Sequence, residues 1–528
     1  MKKILLTSVL LGTVLAMQAQ DTYLNDQMTN TSGEVYGTAR FVGMGGAMGA
    51  LGADISTISW NPAGIGLLRK SEIGFTAGAI WDSKGVNGIN RAHATLDQMG
   101  GVCSFRTGND KMPYLNVAFN YQKKKNFNNA FIADNDHLNG LSQMTQLADL
   151  VNAGYDTDHN LAGWAVDNLY LTPLYKDANG VLTPQQPHEG AEPSQYVNKY
   201  QGELNRYTQK TWGSLNAFDF NLSGNVKDRC YWGFTLGIDQ LRYRTQNDYY
   251  EESSCQEDGQ LKLGDYSLYN DREIDGVGVN MKFGVIFRPI ESNSFRIGLT
   301  LETPTWYVLK SSTLYQLTDH VGNTATDMPE SYLEYSIRTP WKFRVGMGST
   351  AGNFLAWDVD YEYAHWGRTA MGYPNDYADD AGFFDNTWDL DMNEQTKRTL
   401  KGTHNVRAGI EVKPTKKLAL RLGYNFASSS YKDQPAFDQY GLDSYAMNYS
   451  TSTSYMKVGE LNSLTLGLGY RWKCAYLDMA YKVSRQKADF YGFYEPTDAN
   501  RFHSPNRLTP TEADLSRQQL TATLGFRF

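Results

Sequence analysis

Residue types that could do chemistry are plentiful in this chain, but they are not arranged as a known catalytic or cofactor motif. The glycine-rich run 43–49 approaches a dinucleotide-binding loop, yet its third glycine stands one position late and no apolar strand precedes it. The eight histidines are isolated, which disfavours a zinc site. Asp156 and Asp158 lack the spacing of a calcium-binding loop. We therefore predict a protein that is not an enzyme and that needs no metal and no cofactor.

Charged side chains recur instead at alternate positions of segments that are otherwise apolar. Leu355, Trp357 and Val359, for example, alternate with Asp358 and Asp360. Alternate residues of a strand point to opposite faces of a sheet, so one face is charged and the other apolar. The charges expected on the polar face are Asp219, Asp239, Lys282, Arg296, Glu302, Arg344, Asp358, Asp360, Glu362, Arg407, Glu411, Arg421, Arg471 and Asp478. We expect them to pair with one another in a wet interior; alternatively, one or more arginines binds a ligand carboxylate.

The stretch 39–64 precedes these segments and is too irregular to be a strand. It holds six glycines, which permit tight bends and close packing. It also holds large apolar side chains such as Phe41 and Met48, which a flexible linker would not carry. Pro62 fixes its own φ and restricts Asn61 to extended conformations, which predicts a rigid turn. We interpret the stretch as a compact plug.

The order of residues in this plug resembles the N-terminal signature of the FadL/TodX family, outer-membrane channels for long-chain fatty acids and other hydrophobic compounds. The resemblance covers about one tenth of the chain and implies a fourteen-stranded barrel whose lumen holds the plug, or hatch. It implies passive diffusion, with a kink in the third strand opening the wall sideways. The residues that match the signature, and for which it implies a gating role, are Gly43, Gly45, Gly46, Ala47, Asp54, Asn61, Pro62 and Ala63.

From Glu72 onward the alternation independently predicts about fourteen strands, including Met112–Gln122 as the third and Leu333–Ser349 as the eighth. Segments after even-numbered strands are short, such as 227–229, and those after odd-numbered strands are long, such as 366–402. That asymmetry is typical of outer-membrane barrels, whereas a soluble sandwich would bury the same apolar faces. We predict an all-β fold: a transmembrane antiparallel β-barrel with apolar faces toward lipid and a plug in its lumen.

The largest predicted loop, 123–213, contains apolar residues at helical spacing. One interpretation is a helix that packs on its own loop. The other is a surface groove that first captures a hydrophobic ligand, as loop helices do in FadL-like proteins. The residues proposed for that groove are Leu141, Met144, Leu147, Trp164 and Leu169.

The chain divides into three predicted regions: a signal peptide at 1–19, a plug at 20–71 and the barrel at 72–528. The polar part of the plug region, 21–38, is expected in the periplasm or at the entrance to the plug. No later segment supplies the ~20 apolar residues of a spanning helix. Cys230 and Cys474 both fall near short turns and could pair, although free thiols fit the scattered cysteines better.

These features predict an outer-membrane channel of a Gram-negative bacterium for passive uptake of hydrophobic molecules, above all long-chain fatty acids. Its expected partners are membrane lipids, the ligand and the barrel-assembly machinery, which would read the C-terminal Phe528; we expect a monomer. The net charge of −8 disfavours nucleic acid. The alternatives are a general diffusion porin, a surface-binding or adhesion barrel acting through its loops, and a barrel enzyme assembled from separate strands. The residues do not distinguish a fatty acid from an aromatic hydrocarbon, haem or a lipid.

Overall fold

A single antiparallel sheet closes on itself because the first barrel strand pairs with both the second and the last. The computed structural model describes residues 20–82, 92–152, 161–167, 170–257, 260–319, 324–325, 331–374, 386–433, 452–495 and 506–528. The prediction of a barrel of fourteen antiparallel strands is confirmed.

Eleven barrel strands are continuous and three are made of two segments each. They are β1 Glu72–Asp82, β2 Ala92–Asn109, β3 Met112–Asn126, β4 Gln201–Val226, β5 Cys230–Glu257, β6 Gln260–Phe287, β7 Arg296–Glu302 with Trp306–Asp319, β8 Ser331–Arg338 with Lys342–Ala351, β9 Leu355–His365 with Ala370–Pro374, β10 Gly402–Val412, β11 Leu418–Ala427, β12 Tyr455–Arg471, β13 Ala475–Tyr491 and β14 Arg517–Arg527.

Shorter elements line the lumen or extend the loops. The short strands are Asn129–Asn135, Thr172–Lys176, Leu182–Thr183, Gln195–Val197, Thr324–Ala325, Asn386–Trp388 and Thr511–Asp514. The helices are α1 Gln20–Thr29, α2 Ala39–Gly43, α3 Gln143–Asn152, α4 Leu161–Asp167 and α5 Leu390–Thr399, with 3-10 turns at Ile55–Ser59, Pro62–Leu67 and Trp366–Arg368. Within the described residues, no helix is long and apolar enough to cross a bilayer.

Burial in this barrel is inverted relative to a soluble protein. On β14, Leu520 and Leu524 are 40% and 47% exposed on the outside, while Thr521 and Thr523 between them are fully buried. Charged groups such as Lys282 are also fully buried inside. A broad surface of large apolar side chains marks a site that lipid or a partner protein covers. The apolar faces of the strands therefore meet lipid, and the polar faces line the lumen.

A row of alternating charges marks the outer edge of the apolar band. Arg242 on β5, Asp275 on β6, Lys310 on β7 and Glu334 on β8 are neighbours in cross-strand register. Arg242 and Lys310 form ion pairs of 3.1 and 3.2 Å with the acidic residues beside them. Since exposed charges are costly in hydrocarbon, the strands above this row stand outside the lipid.

The structure corrects two predicted boundaries. The predicted loop 123–213 is shorter than expected, because β3 continues to Asn126 and β4 begins at Gln201. The predicted eighth strand is not continuous, because it breaks between Arg338 and Lys342 at a Pro that cannot donate to the ladder. Polar outer extensions of this kind lack the apolar alternation by which a strand is recognised in sequence.

Candidate functional site

The plug, residues 39–67, fills the lumen as three short helical turns joined by bends. Asn61 is extended, with φ −135°, and its side-chain oxygen accepts the amide of Ala63 at 3.2 Å. Its side-chain nitrogen donates to the Gly49 carbonyl at 2.6 Å. The rigid turn expected around Pro62 is therefore present, and Asn61 ties it to the glycine-rich half of the plug.

Two aspartates of β9 hold the plug by its backbone. Oδ2 of Asp360 accepts the amides of Met48 and Gly49 at 3.0 and 2.8 Å. Oδ2 of Asp358 accepts the next two amides at 3.1 and 2.7 Å. Hydrogen bonds to a carboxylate are roughly twice as strong as those between neutral groups. Four consecutive plug amides are thus fixed to one strand of the wall.

The wall approaches the plug at glycines whose Cα–H faces inward. A Cβ at Gly298 would lie 2.2 Å from the Gly49 carbonyl oxygen, and one at Gly423 would lie 2.1 Å from the Gly45 nitrogen. No side chain fits at such distances, so these contacts need glycine on the wall.

Trp60 lies between two cations of the wall. The guanidinium carbons of Arg344 and Arg407 lie 4.3 and 3.6 Å from its ring centroid, within the range of cation–π attraction. Its indole N–H donates to Asp360 at 2.9 Å. The residue just before the Asn61 turn is therefore clamped on both faces and at its edge.

Arg40 joins the plug to charges on β10 and β11, the two strands that follow β9 in the wall. Its Nε lies 3.1 Å from Glu411, which also pairs with Arg421 at 2.7 Å, and its Nη1 lies 3.9 Å from Asp54 of the plug. Burial alone would lower the pKa of the Arg40 guanidinium, but the carboxylates of Glu411 and Asp54 raise it instead. Arg40 therefore stays charged within the network.

Of the two places expected for 21–38, the periplasm is wrong, because α1 is buried inside the barrel. Thr22 and Asn25 of α1 are buried and bond to the sulfurs of Met392 in α5 and Met371 in the outer segment of β9. α1 therefore lies inside the lumen on the outer side of the plug. Its polar composition suits a wet lumen as well as it suits a surface, so the sequence could not separate the two.

A cavity of about 140 Å³, here called the chamber, lies beside the segment that joins α1 to the plug. Lys125, Lys482 and Arg517 line one part of it, together with the acidic residues Asp26 and Glu34. The apolar part includes Ile80, Phe127, Phe131, Tyr243 and Leu461. The chamber is therefore amphiphilic, with cations and apolar surface within one enclosure.

The two lysines of the chamber are bound to neutral partners, whereas Arg517 pairs with Asp82 at 3.3 Å. Lys125 Nζ donates to the Asn30 carbonyl at 2.8 Å, and Lys482 Nζ donates to the Val35 carbonyl at 2.9 Å. Neither ammonium forms an ion pair with a carboxylate of the described residues within 4.0 Å. Carbonyl oxygens neutralise no charge, so each ammonium can bind an anion more strongly than its present partner.

A register slip in the ladder between β3 and β4 supplies Lys125. The slip falls between Lys123 and Lys125, so consecutive lysines turn toward the lumen instead of alternating. Lys124 Nζ lies 2.8 Å from Asp239 of β5. The sequence interpretation ended this strand at Gln122 and so missed these lysines; the Lys-Lys-Lys run was the available signal.

The outer mouth is closed by α3 and α4, here called the lid. Glu251 of β5 is buried and holds the start of α3. It accepts the Ser142 hydroxyl at 2.5 Å and the Gln143 amide at 3.1 Å. The hydroxyls of Tyr249 and Tyr266 donate to the same carboxylate at 2.5 and 3.1 Å.

The residues of the proposed surface groove lie on the inner side of the lid. Leu141, Met144 and Leu147 are buried in an apolar cluster that also contains wall tyrosines. Their role in ligand capture stays a prediction. Leu169 lies outside the described residues, as does the side chain of Trp164. Helical spacing predicted the helix, but the sequence could not reveal which surface covers it.

Comparisons with known proteins agree with this architecture. Neither a scan of protein-family models nor a search of curated proteins finds a match. A solved FadL homologue from Pseudomonas aeruginosa matches with a TM-score of 0.50 and 12% identity, over 94% of this chain and 99% of that one. This chain has the FadL fold.

Two other solved barrels match this chain with lower TM-scores. The toluene transporter TbuX of Ralstonia pickettii has a TM-score of 0.46 and 13% identity, over 94% of this chain and 99% of that one. The toluene transporter TodX of Pseudomonas putida has a TM-score of 0.45 and 11% identity, with the same coverage. With its outward apolar band, a FadL fold of this construction is that of an outer-membrane protein.

Within the FadL fold, nearly all the predicted lumen charges lie inside. The buried ones are Asp219, Asp239, Lys282, Glu302, Arg344, Asp358, Asp360, Glu362, Arg407, Glu411, Arg421 and Asp478. Arg296 is half-buried and Arg471 is exposed. Asp219 and Lys282 form a fully buried pair at 3.0 Å, as expected for opposed charges in a lumen. All four cysteines are free.

Proposed function

We propose that this protein lets hydrophobic molecules, above all long-chain fatty acids, diffuse passively across the outer membrane. The observation that carries the proposal is an amphiphilic chamber lined by α1, by the segment that joins α1 to the plug and by the barrel wall. Each CH₂ removed from water contributes about 0.8 kcal/mol. A water-filled pore does not lower the free energy of a hydrophobic molecule, whereas contact with an apolar wall stabilises the molecule during its passage through the barrel.

The chamber offers a place for each end of a fatty acid. Its carboxylate would bind Lys125 and Lys482 in place of the backbone carbonyls that they now contact. Its chain would lie against Phe127, Tyr243 and Leu461. The carbonyls released from the lysines belong to the segment between α1 and the plug, so ligand binding would loosen that segment.

Passage then requires the plug to shift. The residues proposed to act in this gating are Gly43, Gly45, Gly46, Ala47, Asp54, Asn61, Pro62 and Ala63. Asn61 joins the two halves of the plug, and Asp54 accepts hydrogen bonds from Thr38 and Ser56. The plug would therefore move as a unit and not unravel residue by residue.

A sideways exit at the third strand has support in the wall. The ladder between β2 and β3 ends at the pair Gln98 and Gln122, although β2 continues to Ala92 and β3 to Asn126. Lys123 donates to Thr95 across the separation, so side chains replace the ladder there. Pro113 lies beside the short turn at the start of this strand, where it removes one ladder donor.

Uptake of oleate by a strain lacking this protein and complemented with variants tests the proposal. Lys125→Gln/Lys482→Gln should lower oleate uptake strongly and leave uptake of uncharged oleyl alcohol nearly unchanged. The matched control is Lys487→Gln, an exposed lysine paired with Glu512 outside the chamber. Equal oleate uptake with and without the wild-type protein would overturn the proposal.

Conductance separates this function from that of a general porin. The wild-type protein should conduct ions poorly in planar bilayers, because the plug and the lid both obstruct the lumen. A large, steady conductance would favour a diffusion pore for polar solutes. Loss of function on deletion of the outer loops, but not on Asn61→Ala, would favour a surface-binding protein.

A further inference from the structure

Three neighbouring strands of the wall are interrupted at the same height. β7 breaks at 303–305, β8 at 339–341 and β9 at 366–369. β7 and β8 keep one register on both sides of their breaks, which sets Pro304 opposite Pro340. Neither proline can donate to a ladder, so two facing strands lose backbone hydrogen bonds at one level.

Threonine hydroxyls take over part of the missing pairing. The Thr305 amide donates to the hydroxyl of Thr339 at 2.8 Å, and the Met281 amide donates to the hydroxyl of Thr303 at 3.0 Å. The wall is therefore closed here, but partly by side chains that can rotate. Parting it breaks fewer backbone bonds than parting a continuous ladder would.

The break in strand pairing spans the most residues between β8 and β9. Lys342 pairs with Ala364 below it and Arg338 pairs with Ala370 above it, a step of four positions in β8 and six in β9. The two extra residues of β9 form a turn that carries Trp366 into the barrel, where it is fully buried. Trp366 therefore fills the inner side of the interruption.

An apolar path leads from this interruption to the chamber. Ile337 and Met371 form the second pair above it and belong to one buried cluster with Leu309. The same cluster contains Phe127 and Tyr243, which also line the chamber. An apolar molecule that entered between β8 and β9 would thus meet continuous apolar surface.

The interruption lies at the level of lipid. Below it, Phe343 is 53% exposed on the outside of β8, and Trp341 is exposed at its edge. Above it stands the charge row that includes Lys310 and Glu334. Aromatic residues mark the edges of a barrel's apolar band, so the interruption lies at the height of the outer part of the lipid layer, where its threonines and prolines are buried and Arg368 is exposed.

We propose that this interruption is a second lateral portal, through which an apolar ligand dissolved in the outer part of the lipid layer reaches the chamber. The inference rests on the proposed function. It adds a lipid-side way in, because the lid covers the aqueous mouth and the separation at β2 and β3 lies six strands away in a wall of fourteen. Trp366 is the residue that must move for the portal to open.

A disulfide across the portal tests this. In a variant whose four cysteines are serine, Ile337→Cys/Met371→Cys would tie β8 to β9 at the upper edge of the interruption. The matched control is Met347→Cys/Val359→Cys, which ties the same two strands within their continuous ladder. Oleate would be supplied to cells expressing each variant, oxidised and then reduced, with cross-linking verified on a non-reducing gel.

The oxidised portal variant should import oleate severalfold more slowly than the oxidised control and recover on reduction, while the oxidised control imports normally. Normal import by the oxidised portal variant would overturn the portal, as would equal losses in both variants. If the reduced variants and the wild-type protein alike fail to import, the proposed function fails instead. Recovery on reduction in the same molecules excludes misfolding as the cause.

Discussion

The plug and the lid close the same lumen by different means. The plug is held by directed polar contacts: four amides on Asp358 and Asp360, and Trp60 between two arginines. The lid is held mostly by burial of apolar side chains among wall aromatics, with Glu251 as its polar anchor. The plug is thus held mainly by hydrogen bonds and cation–π contacts, and the lid mainly by the hydrophobic effect.

That difference suits two different tasks. Hydrogen bonds of fixed direction hold one arrangement against water, because any displacement leaves buried donors unsatisfied. Apolar contacts are not directional, so an apolar ligand can replace those of the lid. We infer that the lid yields to ligand, whereas the plug moves only when its polar contacts are exchanged for others.

The largest expected effect comes from removing the plug's acceptors. Asp358→Ala/Asp360→Ala leaves four buried amides without partners, at about 1–3 kcal/mol each, so the plug should leave its site. Ion conductance in planar bilayers should rise by at least about tenfold, since 1.4 kcal/mol already changes a population tenfold. Asp275→Ala, on the outer face of β6, is the control and should conduct like the wild type. Unchanged conductance of the double variant would show that these carboxylates do not hold the plug.

A smaller effect is expected at the lid. Glu251→Gln weakens the anchor of α3 by about 1–2 kcal/mol, so hydrogen exchange of the α3 amides should quicken about tenfold while plug amides keep their rates. The control is Glu252→Gln, because the next residue of the same strand is exposed and bonds to Tyr250 on the outer face. Equal exchange in both variants would assign the lid's stability to apolar packing alone.

The smallest effect is expected at Trp60. Trp60→Phe keeps a ring between Arg344 and Arg407 but loses the indole N–H that bonds to Asp360. One hydrogen bond contributes about 1 kcal/mol, so exchange of the amides at 48–51 should quicken about fivefold without measurable conductance. A change as large as that of the aspartate pair would mean that Trp60, and not the carboxylates, fixes the plug.

The sequence foretold the barrel because alternation is a local signal. The apolar faces of β12 and β14 could be read directly, and Phe41 and Met48 of the plug are buried as their size demanded. The resemblance at Asn61-Pro62-Ala63 located the plug's turn correctly.

What the sequence could not supply were contacts between distant segments. Gly298 and Gly423 read as neutral positions of a polar face, although they are where the plug touches the wall. Leu147 reads equally well as a groove residue or a core residue, because its covering partners lie on other strands. α1 was misplaced for the same reason.

The path of the chain through the lumen has a consequence for assembly. From α1 the polypeptide descends through the plug and then turns up into β1, which seals the cylinder by pairing with β14. α1 and the plug cannot easily enter the lumen after β1 has paired with β14. The barrel must therefore close around α1 and the plug during assembly. The pairing of β1 with β14 is then the step after which the plug can no longer leave the lumen.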